Sequence, residues 1–439
     1  MADYALDATV RVHPFEHNRD GDDVIIGDPA RDAYLCIPAD GLDLLESLAA
    51  GNTVAETVRT YQDKYGETPD IEDFIEILTG EGFIAPGTEA AGDEAHGDEH
   101  GHSHPRRGAA QVRKSWSFDW ISPSVAARLC GTPVLIAAGL FIALGVTVAV
   151  THVHQLPTAK TLLFPHGYFA PLTIGTLALA ICAVMLHEFA HAVVARSAGL
   201  PARLAIGNLM YTIVAQTDIT GIWMAPKRKR YLAFMSGTIV DLVAASAIVD
   251  LIYAENRGWI SLDQVWLMPL LNAFLFTYAM RISFQLLFYL RTDIYYVVST
   301  AMSCKSLMSD TETFLRNLVF RVLRRRHRVV DQSGIPAREM KRVRIYAAFY
   351  AVGRVFWIAV LSTFYLPLLW SYADQFILMV TGHAHRLGVV DFLTIAFLAF
   401  LLDGGGLVMW LGGIYRNSRS KGSVIAPATP ALATISVED

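Results

Sequence analysis

The chain has 439 residues, 53 % of them hydrophobic and 18 % charged, with a mean hydropathy of +0.36. That balance excludes an ordinary soluble enzyme, and the length exceeds one domain. The net charge of −5 conceals a division: residues 1–104 hold 24 of the 41 acids but 5 of the 36 Lys and Arg, so an acidic soluble head precedes a basic, apolar body.

The first residues, Met1-Ala2-Asp3-Tyr4, lack an apolar core, so a cleaved signal peptide is not expected and the head is expected to stay in the cytosol. Within residues 1–86, Val10–Phe15, Val24–Gly27 and Tyr34–Pro38 read as three short strands separated by Asp, Gly and Pro turns. Helices are expected near 40–49, 53–65 and 70–82; Leu42, Leu45 and Leu48 form one apolar face, and Ile71, Phe74, Ile75 and Leu78 another. This order of elements resembles the PqqD-like winged helix, which binds leader segments of ribosomally made peptides. The resemblance implies an α+β winged-helix, peptide-recruiting domain over residues 1–86. Residues 87–115 read as a flexible linker rich in Gly, Ala and acids; its His96, His100, His102 and His104 are an additional place for zinc to gather.

Apolar spans are expected near 129–150, 168–195, 231–253, 264–302, 345–370 and 389–414, since a helix needs roughly 20 apolar residues to cross a bilayer. The run 264–302 is too long for one straight crossing and is expected to continue as a kinked or re-entrant extension beyond Arg291. Bases cluster in alternate loops: Arg106, Arg107, Arg113 and Lys114; Lys227 to Arg230; ten Lys or Arg from Arg316 to Arg344; and Arg416, Arg419 and Lys421. This asymmetry predicts six crossings with both termini cytosolic. The fold class is therefore mainly α, a six-span polytopic membrane protein with an α+β head. Residues 116–305 form its core, 306–344 a basic cytosolic segment, and 345–439 a two-span bundle and tail.

Within the second span stands His187-Glu188-Phe189-Ala190-His191. Positions i and i+4 share a helix face, so both imidazoles can hold one zinc ion, with Glu188 placed as base toward a water on it. Two histidines and a carboxylate are costly in hydrocarbon, which argues against idle placement. A third ligand must come from a later span. Asp293 is the first choice and Asp403 the competitor, Asp403 having the alternative of pairing with Arg281 or Arg354. Cys36, Cys130, Cys182 and Cys304 have no paired spacing and indicate neither a disulfide framework nor a thiolate site.

The motif helix, the polar segment after it, and an aspartate about a hundred residues on resemble the site-2 protease family of intramembrane zinc metalloproteases over residues 120–305. The Tyr-Tyr-Val-Val after Ile294 is similar to its peptide zinc metalloprotease branch. Two local departures stand out: Ile294 follows the aspartate where the family has Gly, and Ser236-Gly237-Thr238-Ile239-Val240-Asp241 stands where it has Ala-Gly-Pro and then Asn. The resemblance implies zinc on His187, His191 and Asp293, with Glu188 activating water, in a protein of the bacterial cytoplasmic membrane.

Between Pro201 and Trp223 an alternating pattern predicts a hairpin beside the motif helix, either a packed re-entrant loop or an edge able to hold an extended substrate. Asp241, Arg281, Arg354 and Asp403 lie at matched depth in their spans and are expected to pair, as a structural network or as a polar wall of the site. Residues 313–326 read as an amphipathic helix, and the basic 316–344 segment as a surface for anionic lipid headgroups. His152, His154, His166, His383 and His385 read as ordinary loop histidines.

The expected function is a membrane zinc metalloendopeptidase acting on a peptide, a ribosomally made and modified precursor, recruited by the head. The alternatives are an intramembrane protease of a membrane-anchored signalling protein and a non-catalytic peptide export or immunity protein. A peptide-modifying enzyme or an exporter is the partner protein expected, and no nucleic acid.

Overall fold

Secondary structure follows from local chemistry in both units of this computed structural model, which describes residues 7–20, 23–28, 33–85, 115–153, 156–157, 168–209, 212–302, 307–332, 335, 337–382, 388–399 and 433–434. One unit comprises residues 1–113, 218–226 and 422–439, the other 114–217 and 227–421.

In the first unit, β1 (Glu16–Asp20), β2 (Asp23–Asp28) and β3 (Ala33–Pro38) form an antiparallel meander, and the short strand Ala433–Thr434 runs parallel to β3. The first strand is displaced from its expected place at 10–15. Residues 9–13 make only isolated bridges, Thr9 to Thr53 and Val12 to Ile84, whereas 16–20 follow the register that β2 imposes, from Glu16–Gly27 to Asp20–Asp23. Tertiary pairing overrides the apolar alternation of Val10, Val12 and Phe15. Helices α1 (Ala39–Ala49), α2 (Val54–Tyr65) and α3 (Ile71–Gly80) fall close to their expected bounds. A capping box starts α2: Glu56 N donates to Thr53 Oγ1 at 3.2 Å, and Thr53 N to Glu56 Oε2 at 2.9 Å. Gly66, at φ 78°, ends it in the left-handed conformation. Asp70 caps α3. The leucine face of α1 and the Ile-Phe-Ile-Leu face of α3 close over Val24, Ile26, Leu35 and Ile37 in one core. The segment 218–226 joins this unit through Asn18 Nδ2, which donates to Met224 O at 3.1 Å. At the edge of α2 that joins this core, burial and then the hydrogen bond to Asp40 (2.6 Å) push the Tyr61 phenol above its ordinary pKa.

The second unit is helical apart from one small sheet. Among the described residues, five segments are long and apolar enough to cross a membrane: Pro123–Thr151, Phe169–Ser197, Lys227–Asn256, Leu267–Phe284 and Arg338–Thr363. The first joins α4 (Pro123–Leu129) to α5 (Thr132–Thr151), each with proline in its first turn, where a missing N–H costs nothing. Then come α6 (Phe169–Ser197), β5 (Arg203–Leu209), β6 (Thr212–Asp218) and α7 (Lys227–Asn256). The hairpin expected between 201 and 223 is thus β5–β6; with β4 (Ser115–Ser117) it forms a sheet of order β4-β5-β6, in which β6 is an edge.

Half of the apolar window of α7 is buried, against 6–22 % in the other spans, so α7 is the central helix, packed on α5, α6, α8 and α9. Gly145 of α5 permits a close approach to α7. A methyl group there would lie 2.4 Å from Ser246 Cβ.

The long run 264–302 breaks as expected, into α8 (Leu267–Phe284) and α9 (Asp293–Met302). After α10 (Leu307–Val322), helix α11 (Ala337–Val360) continues through a π-helical turn, Leu361–Tyr365, into α12 (Leu366–Val380). The span expected at 345–370 is therefore helical over 337–380, longer at both ends. Arg338, Lys341, Arg342 and Arg344 are good helix formers and do not delay its start. Pro367, which has no N–H to give the turn before it, follows the π-helical segment. The expected loop at 371–388 is correspondingly helical to Val380. Of the sixth expected span, α13 (Val389–Ala399) is described, and 400–414 lie outside the described residues.

Candidate metal centre

His187 and His191 project from one face of α6 and are buried, with 8 % and 7 % of their side chains exposed. Phe189, between them, turns the other way, stacks on Trp120 at 6.1 Å and meets Phe118 edge-on at 5.9 Å, which fixes the rotation of α6 about its axis. Asp293, the first residue of α9, enters from the break after α8. Its Oδ2 lies 3.0 Å from His187 Nε2 and 3.5 Å from His191 Nε2. The break holds it there: Gln285 Nε2 donates to Asp293 Oδ2 at 3.1 Å, and Asp293 N donates back to Gln285 Oε1 at 3.2 Å. Asp293 keeps 22 % of its side chain exposed, so the cluster opens on that side.

The donor set fits a divalent ion. One atom from each of His187, His191 and Asp293 lies within 4.8 Å of the others. Tetrahedral coordination with bonds of about 2.0 Å sets ligand atoms about 3.3 Å apart, and the observed 3.0 and 3.5 Å bracket that edge. Both histidines also direct Nε2 inward because Nδ1 is engaged behind. His187 Nδ1 pairs with Asp241 Oδ2 at 2.9 Å, and His191 Nδ1 with the Ala233 carbonyl at 2.7 Å. Such outer partners orient imidazole ligands in metal sites generally. Two imidazoles and one carboxylate are a donor set that divalent transition-metal ions accept.

Gly237 on α7 makes room for the first ligand. A Cβ at that position would lie 2.4 Å from His187 Nε2, well inside contact distance. Glu188, next to His187 in sequence, is held by β6: Thr217 N donates to its Oε2 at 2.6 Å, and Thr217 Oγ1 donates to its backbone carbonyl at 3.0 Å.

Four sequence-predicted residues, His187, Glu188, His191 and Asp293, thus come from α6 and the start of α9. The competing ligand, Asp403, and the histidines of the linker lie outside the described residues. The matched-depth charges divide. Asp241 pairs with Arg281, whose Nη2 donates to both carboxylate oxygens at 3.1 Å. Arg354 instead places its guanidinium 4.2 Å from the centre of the Tyr289 ring and donates to Tyr350 Oη at 3.2 Å. Among the described residues its charge is met by aromatic faces. Gln285, Gly237 and Thr217 carry no signal in the sequence; Asp241 does, as a charge at depth, though its contact with His187 needs the registry of α6 against α7. His152 caps the end of α5 and lies 4.8 Å from the ring of Tyr253, away from the cluster. No family model, curated protein or solved structure matches this chain.

Proposed function

We propose that this chain is a membrane-embedded zinc metalloendopeptidase of the site-2 protease kind, cleaving a ribosomally made and modified peptide that its head recruits. The observation that carries the reading is the convergence of His187 and His191, from an apolar helix, with Asp293 from the start of α9 around one point, Glu188 being the residue next to His187. A zinc ion held by those three would polarise the scissile carbonyl. Glu188 takes the proton of the attacking water and returns it to the leaving amine nitrogen. Its hydrogen bond from Thr217 N keeps the carboxylate in one orientation. Edge strand β6 offers backbone groups along which a substrate extends, and a protease needs an extended segment because a helical peptide bond is shielded.

In this reading the head is a winged helix of the PqqD-like kind, and six spans leave both termini in the bacterial cytosol. The support is the strand–strand–strand–helix–helix–helix order and the alternation of basic loops. The basic segment 316–344 rests on anionic headgroups: Leu318, Val319, Val322 and Leu323 are exposed beside Arg321 and Arg324–Arg326.

The test is hydrolysis of a precursor peptide by protein purified in detergent, with and without the leader segment of the peptide. Wild type cleaves the leader-bearing peptide preferentially, and Glu188→Gln loses about 10²-fold or more of that rate while keeping its metal. Equal cleavage by Glu188→Gln removes the catalytic reading and leaves a transport or immunity role.

A further inference from the structure

Behind His187, on the side away from Asp293, runs a line of buried polar contacts that hydrolysis does not itself require. Asp241 is 2 % exposed in the centre of α7. One of its oxygens, Oδ2, accepts from His187 Nδ1 at 2.9 Å and from Arg281 Nη2 at 3.1 Å; the other, Oδ1, is also 3.1 Å from Arg281 Nη2. Arg281 comes from the last turn of α8, and its Nη1 is buried with no hydrogen-bond partner among the described residues. Leaving a donor buried and unsatisfied is costly, and so is placing two full charges in the apolar centre of a helix bundle. Hydrophobic residues of similar volume would pack α7 against α8 at least as well.

We propose that Asp241 and Arg281 are positioning residues for the metal ligand His187, with Arg281 acting only through Asp241. This deepens, and rests on, the reading of the cluster as a metal centre. Asp241 holds the proton on Nδ1, so that the lone pair of Nε2 faces His191 and Asp293. Arg281 fixes the carboxylate plane and keeps Asp241 charged and in place. A carboxylate serves both donors together, whereas an amide has one acceptor oxygen and would turn its own N–H₂ toward Arg281 or His187. Gln285 does the equivalent work for Asp293 by two hydrogen bonds. The Ala233 carbonyl does it for His191, with Ser236 Oγ 3.2 Å from the same Nδ1. Each of the three ligands thus has its own outer partner, and for His187 alone that partner is an ion pair spanning two helices.

The experiment is metal titration of the full-length protein in detergent, with Zn²⁺ for affinity and Co²⁺ for its visible spectrum. Wild type, Asp241→Asn, Arg281→Met, Arg281→Lys and the double variant Asp241→Asn/Arg281→Met are compared, with Asp250→Asn as control. Asp250 is another carboxylate of α7 with a buried Oδ2, and that oxygen has no hydrogen-bond partner among the described residues. The expected result is a loss of about 10- to 100-fold in Zn²⁺ affinity for Asp241→Asn, with an altered Co²⁺ spectrum. Arg281→Met loses less, Arg281→Lys recovers part of that loss, the double variant is no weaker than Asp241→Asn alone, and Asp250→Asn matches wild type. Non-additivity of this kind marks two residues acting in one chain of contacts. If wild type binds the metal and Asp241→Asn binds it equally well with an unchanged spectrum, the positioning role is overturned and the metal centre stands. The same holds if the losses of the two single variants simply add. If wild type binds no metal, both fall. Should Asp241→Asn fail to fold, the Arg281→Met and Arg281→Lys pair carries the decision: equal affinities in both, matching wild type, overturn the proposal.

Discussion

Gly237 leaves open on α7 the space that the ring of His187 fills. The imidazole of His187 occupies the space a side chain would fill on α7: a Cβ there would stand 2.4 Å from Nε2, the atom that faces the other two ligands. The neighbouring atoms are those of a ring fixed from behind by Asp241 and cannot yield cheaply. Gly237→Ala is therefore expected to rotate or expel His187 and to lower metal occupancy at least about tenfold, comparable to losing an outer partner. Elemental analysis of the purified variant checks this, and full occupancy would show that the ring can move aside. The sequence marks His187, Glu188 and His191 by spacing alone, because 3.6 residues per turn bring i and i+4 together. It marks Asp293 only as an acid in the right region, since what delivers it is the two-way hydrogen bonding with Gln285 across a helix break.

Helix α10 shows what an element adds to a pattern. Apolar periodicity suggested an amphipathic stretch over 313–326. The helix instead covers Leu307–Val322 and stops before the arginine run, where Arg324 has a positive φ of 56°. Asn317 causes the stop: its Nδ2 donates to Val330 O at 2.8 Å, and its Oδ1 accepts from Val330 N at 2.9 Å, folding the chain back on the helix. The fold-back leaves Val322 75 % and Leu323 57 % exposed next to Arg324–Arg326. A surface of that composition should insert shallowly among anionic headgroups, at about 1 kcal/mol per arginine near the surface. An environment-sensitive dye on Val322→Cys should shift to the blue in nanodiscs containing anionic lipid, relative to zwitterionic ones, and the shift should shrink in 1 M salt. The same emission in both lipids would show that the loop stays in water. A comparable contact lies between α5 and α7, where Gly145 meets Ser246. Gly145→Ala should cost about 1–3 kcal/mol by overpacking, read as a lower Tm in detergent, while an unchanged Tm would mean that the helices part freely.

At the scale of the whole molecule, four of the five candidate spans among the described residues follow from hydropathy with little error. Strand placement at residues 10–15 and the end of the fifth span at 370 did not follow. Both depend on partners distant in sequence or on helix propensity in charged turns that a hydropathy window counts against a span. The central helix, α7, is also invisible as such. Lys227–Arg230 and Asp241 make its sequence look less suited to burial than α5, yet α5 faces outward and α7 inward, as befits a helix that carries the outer partners of both histidines.

All of this converges on the proposal that His187, His191 and Asp293 hold a single ion, and metal stoichiometry tests that most directly. Full-length protein purified without added metal or chelator, and its Asp293→Ala variant, are measured by elemental analysis. The account predicts close to one zinc per wild-type chain and little in Asp293→Ala, with both proteins equally monodisperse. A wild-type chain that remains empty after incubation with zinc, or an Asp293→Ala variant that retains a full equivalent, would contradict it.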